Sequence, residues 1–392
     1  MNTRALFCMA CAKLVLTCCS LTLGALALAQ PLPSQGASTT LRVGPGQTIK
    51  TIAEASLQAR AGSTIEVDSG TYTGDVALWQ QDNVTVRAVG GRVRLLANGT
   101  AMEGKGIWVV RAKGMRVQGF DFEGAAVPSR NGAGIRLETG TLSVKDCGFF
   151  RNEMGLLTNN EPDTVLEVQG SEFAYNMRPD GHNHNLYAGS IARLSVTGSY
   201  FHHARTGHLL KSRAAENFIF YNRLTDEDGG RASYELEFPN GGLAYVVGNH
   251  IQQSPQTENR VLISFGAEGY TRPNNALYLV DNTLVDDLVG WGKWLFVKPA
   301  NQGAKDTVPA NVFVKAVNNL LSGHGNLSVD VPADIRNNVH VERGVFVDAS
   351  RQDYHLRDPN HAPLKPLDPG SVNGVDLQPR REYVHPRQTR EL

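Results

Sequence analysis

The chain has 392 residues, 41% of them hydrophobic and 19% charged, with 38 basic against 38 acidic side chains. That balance excludes a disordered chain, a coiled coil and a collagen, and the zero mean charge excludes a globally basic nucleic-acid binder. Forty glycines without long charged helical runs point to a turn-rich β protein.

The first element is a leader. Arg4 and Lys13 flank an apolar stretch through Leu14–Leu28, which ends in Ala27-Leu28-Ala29 before Gln30. Small residues at that spacing form a secretory cleavage site, so residues 1–29 are expected to be removed, leaving a periplasmic or secreted chain. Its loss takes two basic and no acidic groups and leaves Cys147 as the one cysteine, so no internal disulfide is expected. The apolar run is short for a membrane span, and no stable membrane insertion is expected.

Next, a short apolar motif recurs. Met115 to Phe122, Leu142 to Phe149, Leu166 to Phe173 and Leu194 to Phe201 share one pattern, which continues through Phe218 to Leu224, Tyr245 to Ile251 and Tyr278 to Leu284. The second apolar position falls at 117, 144, 168, 196, 219, 246 and 279. A loose period of about 27 residues with period-two alternation predicts an all-β, single-domain right-handed parallel β-helix of about 11 coils over residues 30–370. Phe122, Phe149, Phe173 and Phe201 are expected to stack inside, and Asn222, Asn249 and Asn282 to form a hydrogen-bonded ladder at one turn. A helix near Ile49–Ala59 should cap the core, and residues 371–392, rich in arginine, should form an irregular basic tail.

A second strand series carries the chemistry: Asn185 to Ala188, His208 to Arg213, Tyr234 to Phe238 and Val261 to Phe265. Strict alternation predicts that Asn185/Tyr187, Lys211/Arg213 and Glu235/Glu237 point outward on adjacent rungs. Between Arg178 and Arg213 lie five of the 11 histidines (His182, His184, His202, His203, His208), with Arg178, Arg193, Arg205, Lys211 and Arg213 and a single acid, Asp180. Cations so concentrated in a near-neutral chain point to an anionic ligand, and an elongated β-helix wall suits an acidic polysaccharide.

For a uronate sugar, β-elimination needs a cation on the carboxylate, a base for the C5 proton and an acid for the leaving oxygen. Arg213 is expected to clamp the carboxylate and Lys211 to be the base. Tyr187 or His208 would donate the proton, and His182 and His184 would do either job or orient the sugar. Arg178, Asn185, Arg193, Arg205, His203, Glu235, Glu237 and Asn240 are the expected substrate contacts. A glycoside hydrolase using two of Glu235, Glu237 and Asp226–Asp228 is an alternative, as are a uronate C5-epimerase and a non-catalytic glycan-binding protein. His182, His184, His202, His203 and His208 are donors suited to Zn2+; Glu235, Glu237 and Asp226–Asp228 are suited to Ca2+.

Two resemblances accompany this reading. Leu41-Arg-Val-Gly-Pro-Gly-Gln-Thr-Ile49 through Tyr72, and Asp353-Tyr-His-Leu356 through Gly370, resemble the opening and closing segments of pectate-lyase-like proteins. Leu210-Lys211-Ser212-Arg213 followed by Asn217-Phe-Ile-Phe-Tyr-Asn222 resembles the strand bearing the catalytic lysine in chondroitinase-B-like and alginate lyases, which implies Lys211 as base. The chain departs from that pattern at Thr206 and His208, where that family has calcium-binding glutamates, and at Glu235 and Glu237, where it has its arginine.

Overall fold

The computed structural model describes residues 39–178, 180–302, 306–358 and 365–392; the expected leader and part of the closing segment lie outside them. Residues 40–340 form one 28-stranded sheet whose pairings are all parallel between successive coils. One column of paired residues runs Leu41, Ile65, Val86, Val117, Val144, Val168, Val196, Ile219, Val246, Leu279, Ala316 and Ile335. Each predicted motif position falls in this column, and twelve rungs agree with the expected coil number. β-branched side chains suit such a wall because their restricted rotamers pack one over another on the pleat.

A second column stacks Phe122, Phe149, Phe173 and Phe201, with ring centroids 5.1, 4.5 and 4.6 Å apart and nearly parallel planes. The asparagine ladder is longer than expected. Oδ1 of Asn222, Asn249, Asn282 and Asn319 accepts from the backbone N–H one coil earlier at 2.9, 2.8, 2.9 and 2.9 Å. Serines take over toward the N-terminus, where Ser199 and Ser171 hydroxyls accept from Ser171 and Cys147 N–H. Every sharp corner leaves a backbone group the sheet cannot pair, and these side chains satisfy it.

The cap is the seven-residue helix Ile52–Gln58, shorter than expected, with Ile52 and Ala55 fully buried against the core. Thr51 caps its first turn, and Asp75 accepts from the N–H groups of Ile52 and Ala53 at 2.7 and 2.9 Å. At the other end the expected irregular tail is ordered. It forms two antiparallel hairpins, Ser371–Val372 with Val375–Asp376 and Arg381–Val384 with Gln388–Glu391. Leu377 and Tyr383 pack away from solvent, and Arg387 reaches Glu172 and Asp146, so apolar anchors override the charged composition. Among the described residues no helix is long and apolar enough to cross a membrane.

Candidate active-site groove

The second strand series stacks Leu186, Leu210, Leu236, Ile263 and Leu295 inside the cylinder. The residue before each of the first four is also buried: Asn185, Leu209, Glu235 and Leu262 are all 0% exposed. Two consecutive inward residues break the alternation, so the outward positions fall three apart. His184 and Tyr187, His208 and Lys211, and Tyr234 and Glu237 therefore form two adjacent outer rows. Gly207 makes this approach possible, since a Cβ there would run into the Asn183 carbonyl.

This corrects three orientations. Asn185 does not face substrate; it bonds Asn176, the Phe173 carbonyl and the His202 carbonyl inside the turn. Glu235 is sealed in the interior with neither carboxylate oxygen hydrogen-bonded among the described residues, and burial pushes its pKa well above the usual range. Tyr234, expected inside, lies outside with its ring 5.1 Å from that of His208. The hydrolase pairing of Glu235 with Glu237 is thereby excluded as drawn, because the two carboxylates open on opposite sides of the wall. For the same reason the Ca2+ grouping is not brought to one point. Asp226 is buried on the Ala232 N–H, and Glu227 pairs with Arg223 on another strand series.

On the outer rows Lys211, expected in solvent, is 8% exposed. Its Nζ lies 3.0 Å from Glu237 Oε2 and 2.8 Å from Glu268 Oε1. Arg213 donates to Glu268 Oε2 at 2.6 Å and to the Tyr187 hydroxyl at 2.7 Å, and also to Asn240 Oδ1. Asn240 in turn donates to the Gly269 carbonyl at 2.9 Å, so the Asn240-Gly241-Gly242 turn, with φ of 73° and 95° at its glycines, orients the guanidinium. Glu268 was not anticipated. Burial works to raise its pKa, but the bonds from Lys211 and Arg213 prevail and hold it below the usual range. Burial raises the Glu237 pKa against the pull of Lys211.

His184 and His208 stack at 4.6 Å, and the His184 ring lies 5.1 Å from that of Tyr187. Burial first, then neighbouring cationic groups including Lys211 and Arg213, holds both imidazole pKa values far below their ordinary value, so both rings are neutral at pH 7. Beside them runs a groove of about 480 Å³ whose lining includes Arg136, Asn159, Arg178, His182, His184 and Tyr187. Arg178 is paired with Asp180 at 2.9 Å. Arg136, absent from the expectation, donates twice to Asn159 Oδ1, at 3.0 and 2.7 Å, and no carboxylate pairs with it among the described residues.

The histidine window thus divides. His182 and His184 line the groove and His208 stacks on His184, whereas His202 and His203 project from the Tyr200–His202 strand and its corner, 3.4 Å from Glu172 and 3.2 Å from the Asp228 carbonyl respectively. Arg193 pairs with Glu216 over the Phe218 ring on the first strand series, and Arg205 is exposed at a corner bridging Arg231. The expectation that the window forms one cationic wall fails because successive segments of a coil face different sides of the cylinder.

Among solved structures the chain is similar to pectate lyase Pel9A, with 13% identity over 80% of this chain and 84% of that one and a TM-score of 0.53. It is also similar to a pectin methylesterase in complex with a hexasaccharide (12% identity, 74% and 80% of the two chains, TM-score 0.33). A third similar structure is the PL6 family alginate lyase AlyGC (12% identity, 78% and 49%, TM-score 0.27). No protein-family model and no curated protein matches the chain. The fold is a right-handed parallel β-helix of the pectate-lyase-like kind. Function rests on the site, since this architecture hosts several chemistries.

Proposed function

We propose that the protein is a polysaccharide lyase, acting in the periplasm or outside the cell, that cleaves a uronate-containing polymer by β-elimination in the groove beside Tyr187. The observation that carries this reading is the Glu268 carboxylate, whose two oxygens bridge Lys211 and Arg213 at 2.8 and 2.6 Å next to the Tyr187 hydroxyl. A pair of cations that holds one carboxylate in this way is a receptor for another, and the substrate's C6 carboxylate would take the place of Glu268. Neutralising that carboxylate makes the C5 proton acidic. Lys211, held by two carboxylates, serves the clamp with Arg213 in place of acting as the base. The neutral imidazole of His184, on the groove wall, accepts the C5 proton. The C5–H electron pair forms the C4–C5 double bond as the C4–O4 bond breaks. Tyr187, whose oxygen already accepts from Arg213, keeps its own O–H free to protonate the leaving oxygen. Arg136 would bind a carboxylate of a neighbouring sugar in the same groove.

Incubation with a panel of uronate polymers tests this, read by the ultraviolet absorbance of the unsaturated product. Arg213→Lys keeps the charge but loses the planar fork shared among Tyr187, Asn240 and Glu268, and should lower kcat/KM by about 100-fold. New reducing ends without unsaturation would establish a hydrolase, a changed C5 configuration without cleavage an epimerase, and binding without product a glycan-binding protein. Each of these outcomes overturns the lyase assignment.

A further inference from the structure

A second cluster lies away from the groove. The strand Tyr200–His202 ends at a corner where His203 adopts left-handed backbone, φ 47°. Consecutive strand residues face opposite ways, but this corner turns the His203 ring back beside that of His202, and their Nδ1 atoms lie 2.6 Å apart. The far sides of both rings are committed. His202 Nε2 lies 3.4 Å from Glu172 Oε1, and His203 Nε2 lies 3.2 Å from the Asp228 carbonyl. A carboxylate and a carbonyl only accept, so each Nε2 carries the hydrogen and each Nδ1 presents a lone pair. Two lone pairs so close repel each other unless a cation lies between them. Glu227 supplies a third ligand atom, a carboxylate oxygen within 4.8 Å of one ring nitrogen of each histidine. The side-chain bonds it receives, from Tyr200, Arg223 and Thr225, fall on Oε1 and leave Oε2 for a further partner.

We propose that His202 Nδ1, His203 Nδ1 and the Glu227 carboxylate bind one divalent transition-metal ion of the Zn2+ type, with Glu172 and the Asp228 carbonyl fixing the two histidine tautomers from behind. Two imidazoles and one carboxylate suit Zn2+ or Co2+; Ca2+ and Mg2+ prefer all-oxygen sets. Metal-bound histidines characteristically give their other N–H to a carboxylate or carbonyl, as both do here. At Zn–N distances of about 2.0–2.1 Å, tetrahedral nitrogens stand about 3.3 Å apart, so binding would open the pair by about 0.7 Å. The His203 ring stacks at 4.8 Å on that of Tyr175, which is itself 39% exposed, so the shift would be taken up on the side of a partly solvent-facing ring. The ion would join the corner to the loop of the following coil. Glu172, one coil earlier, ties the same point to Arg387 of the C-terminal hairpin. This site does not depend on the lyase reading of the groove.

The test uses the untagged, chelator-treated protein titrated with Co2+ and with Zn2+ as the only probes. One equivalent of Co2+ should bind with the intense visible absorption of a low-coordinate site, and Zn2+ should displace it and raise the melting temperature. His203→Ala should abolish the Co2+ spectrum while the melting temperature without metal stays near wild type. Glu172→Gln, which keeps all three ligands, should weaken binding about 10–100-fold. Absence of saturable binding would mean that the two rings share a proton and no metal, and would overturn the proposal. So would binding that survives both substitutions, since the ion would then lie elsewhere.

Discussion

Replacing Glu235 with glutamine should reveal a pH-dependent cost built into the wall beneath the groove. The carboxylate sits where the neighbouring coils place Leu209 and Leu262, is fully buried, and has no hydrogen bond to either oxygen among the described residues. Burial first, then the nearby Asp226 and Asp286, pushes its pKa well above the usual range. The folded state therefore keeps a proton that the unfolded state releases. Stability is unaffected below the unfolded carboxyl pKa of about 4.3 and falls by about 1.4 kcal/mol per pH unit above it, until the folded pKa is passed. Glu235→Gln removes this group's slope. Its amide adds a constant penalty of about 1–3 kcal/mol if left unpaired, which does not vary with pH. The stability of the variant relative to wild type should thus improve steadily as the pH rises from 5 toward 7. Asp226, pushed to about 7 mainly by burial, retains a similar slope in both proteins, so the difference between the two curves is the relevant quantity. Urea unfolding followed by tryptophan fluorescence at pH 5, 6 and 7 measures it. Parallel curves would refute the argument, because they would require Glu235 to be ionised in the fold.

Two further substitutions probe the groove and the ladder. Glu268→Gln removes ion pairs to Lys211 and Arg213 that, at 40% side-chain exposure, are worth about 1 kcal/mol together. Affinity for a uronate oligosaccharide, measured by calorimetry, should rise roughly 5-fold, and a fall would show that Glu268 itself contacts the sugar. Asn249→Ala strands the Asn222 N–H and the Ile219 carbonyl, bonded at 2.8 Å each. It should cost about 2–4 kcal/mol in denaturant unfolding, and a loss below about 0.5 kcal/mol would mean that water replaces the amide.

The register of the fold was legible because one physical demand repeats. Every coil must bury an apolar residue over the last, so Val117, Val144, Val168 and Val196 mark the rungs in sequence and pair in space. The orientation of the second series was legible only in part. Alternation holds from Leu210 through Arg213 but fails one residue earlier, where Leu209 and Leu210, or Glu235 and Leu236, both turn inward. An acid in that row reads as exposed when its interior position is set by the backbone bend. Glu268 escaped notice because it meets Lys211 across 57 residues. A positional signal existed all the same. Arg213, Asn240 and Glu268 each fall one to three residues past the end of a strand in the same series, where the side chains of successive coils converge.

The spacing of three between outward residues also determines what the histidines can do. It places His184 and His208 one row from Tyr187 and Lys211, with Arg213 just beyond the strand end, so the imidazoles are both buried and repelled by positive charge, and each effect disfavours the imidazolium. The Lys211 and Arg213 cations therefore stand near rings that stay neutral and able to accept a proton. Lys211→Met should raise the pKa of both imidazoles. It removes one cation and leaves the carboxylates of Glu237 and Glu268 without that partner, and both changes favour the protonated ring. Titration of the histidine ring resonances by NMR, assigned through His184→Gln and His208→Gln, reads this without any substrate. The shift should be partial, because burial is the larger cause and survives the substitution. Unchanged or lower values would mean that Lys211 does not act on the imidazoles, and would leave His184 with no charge-based link to the clamp.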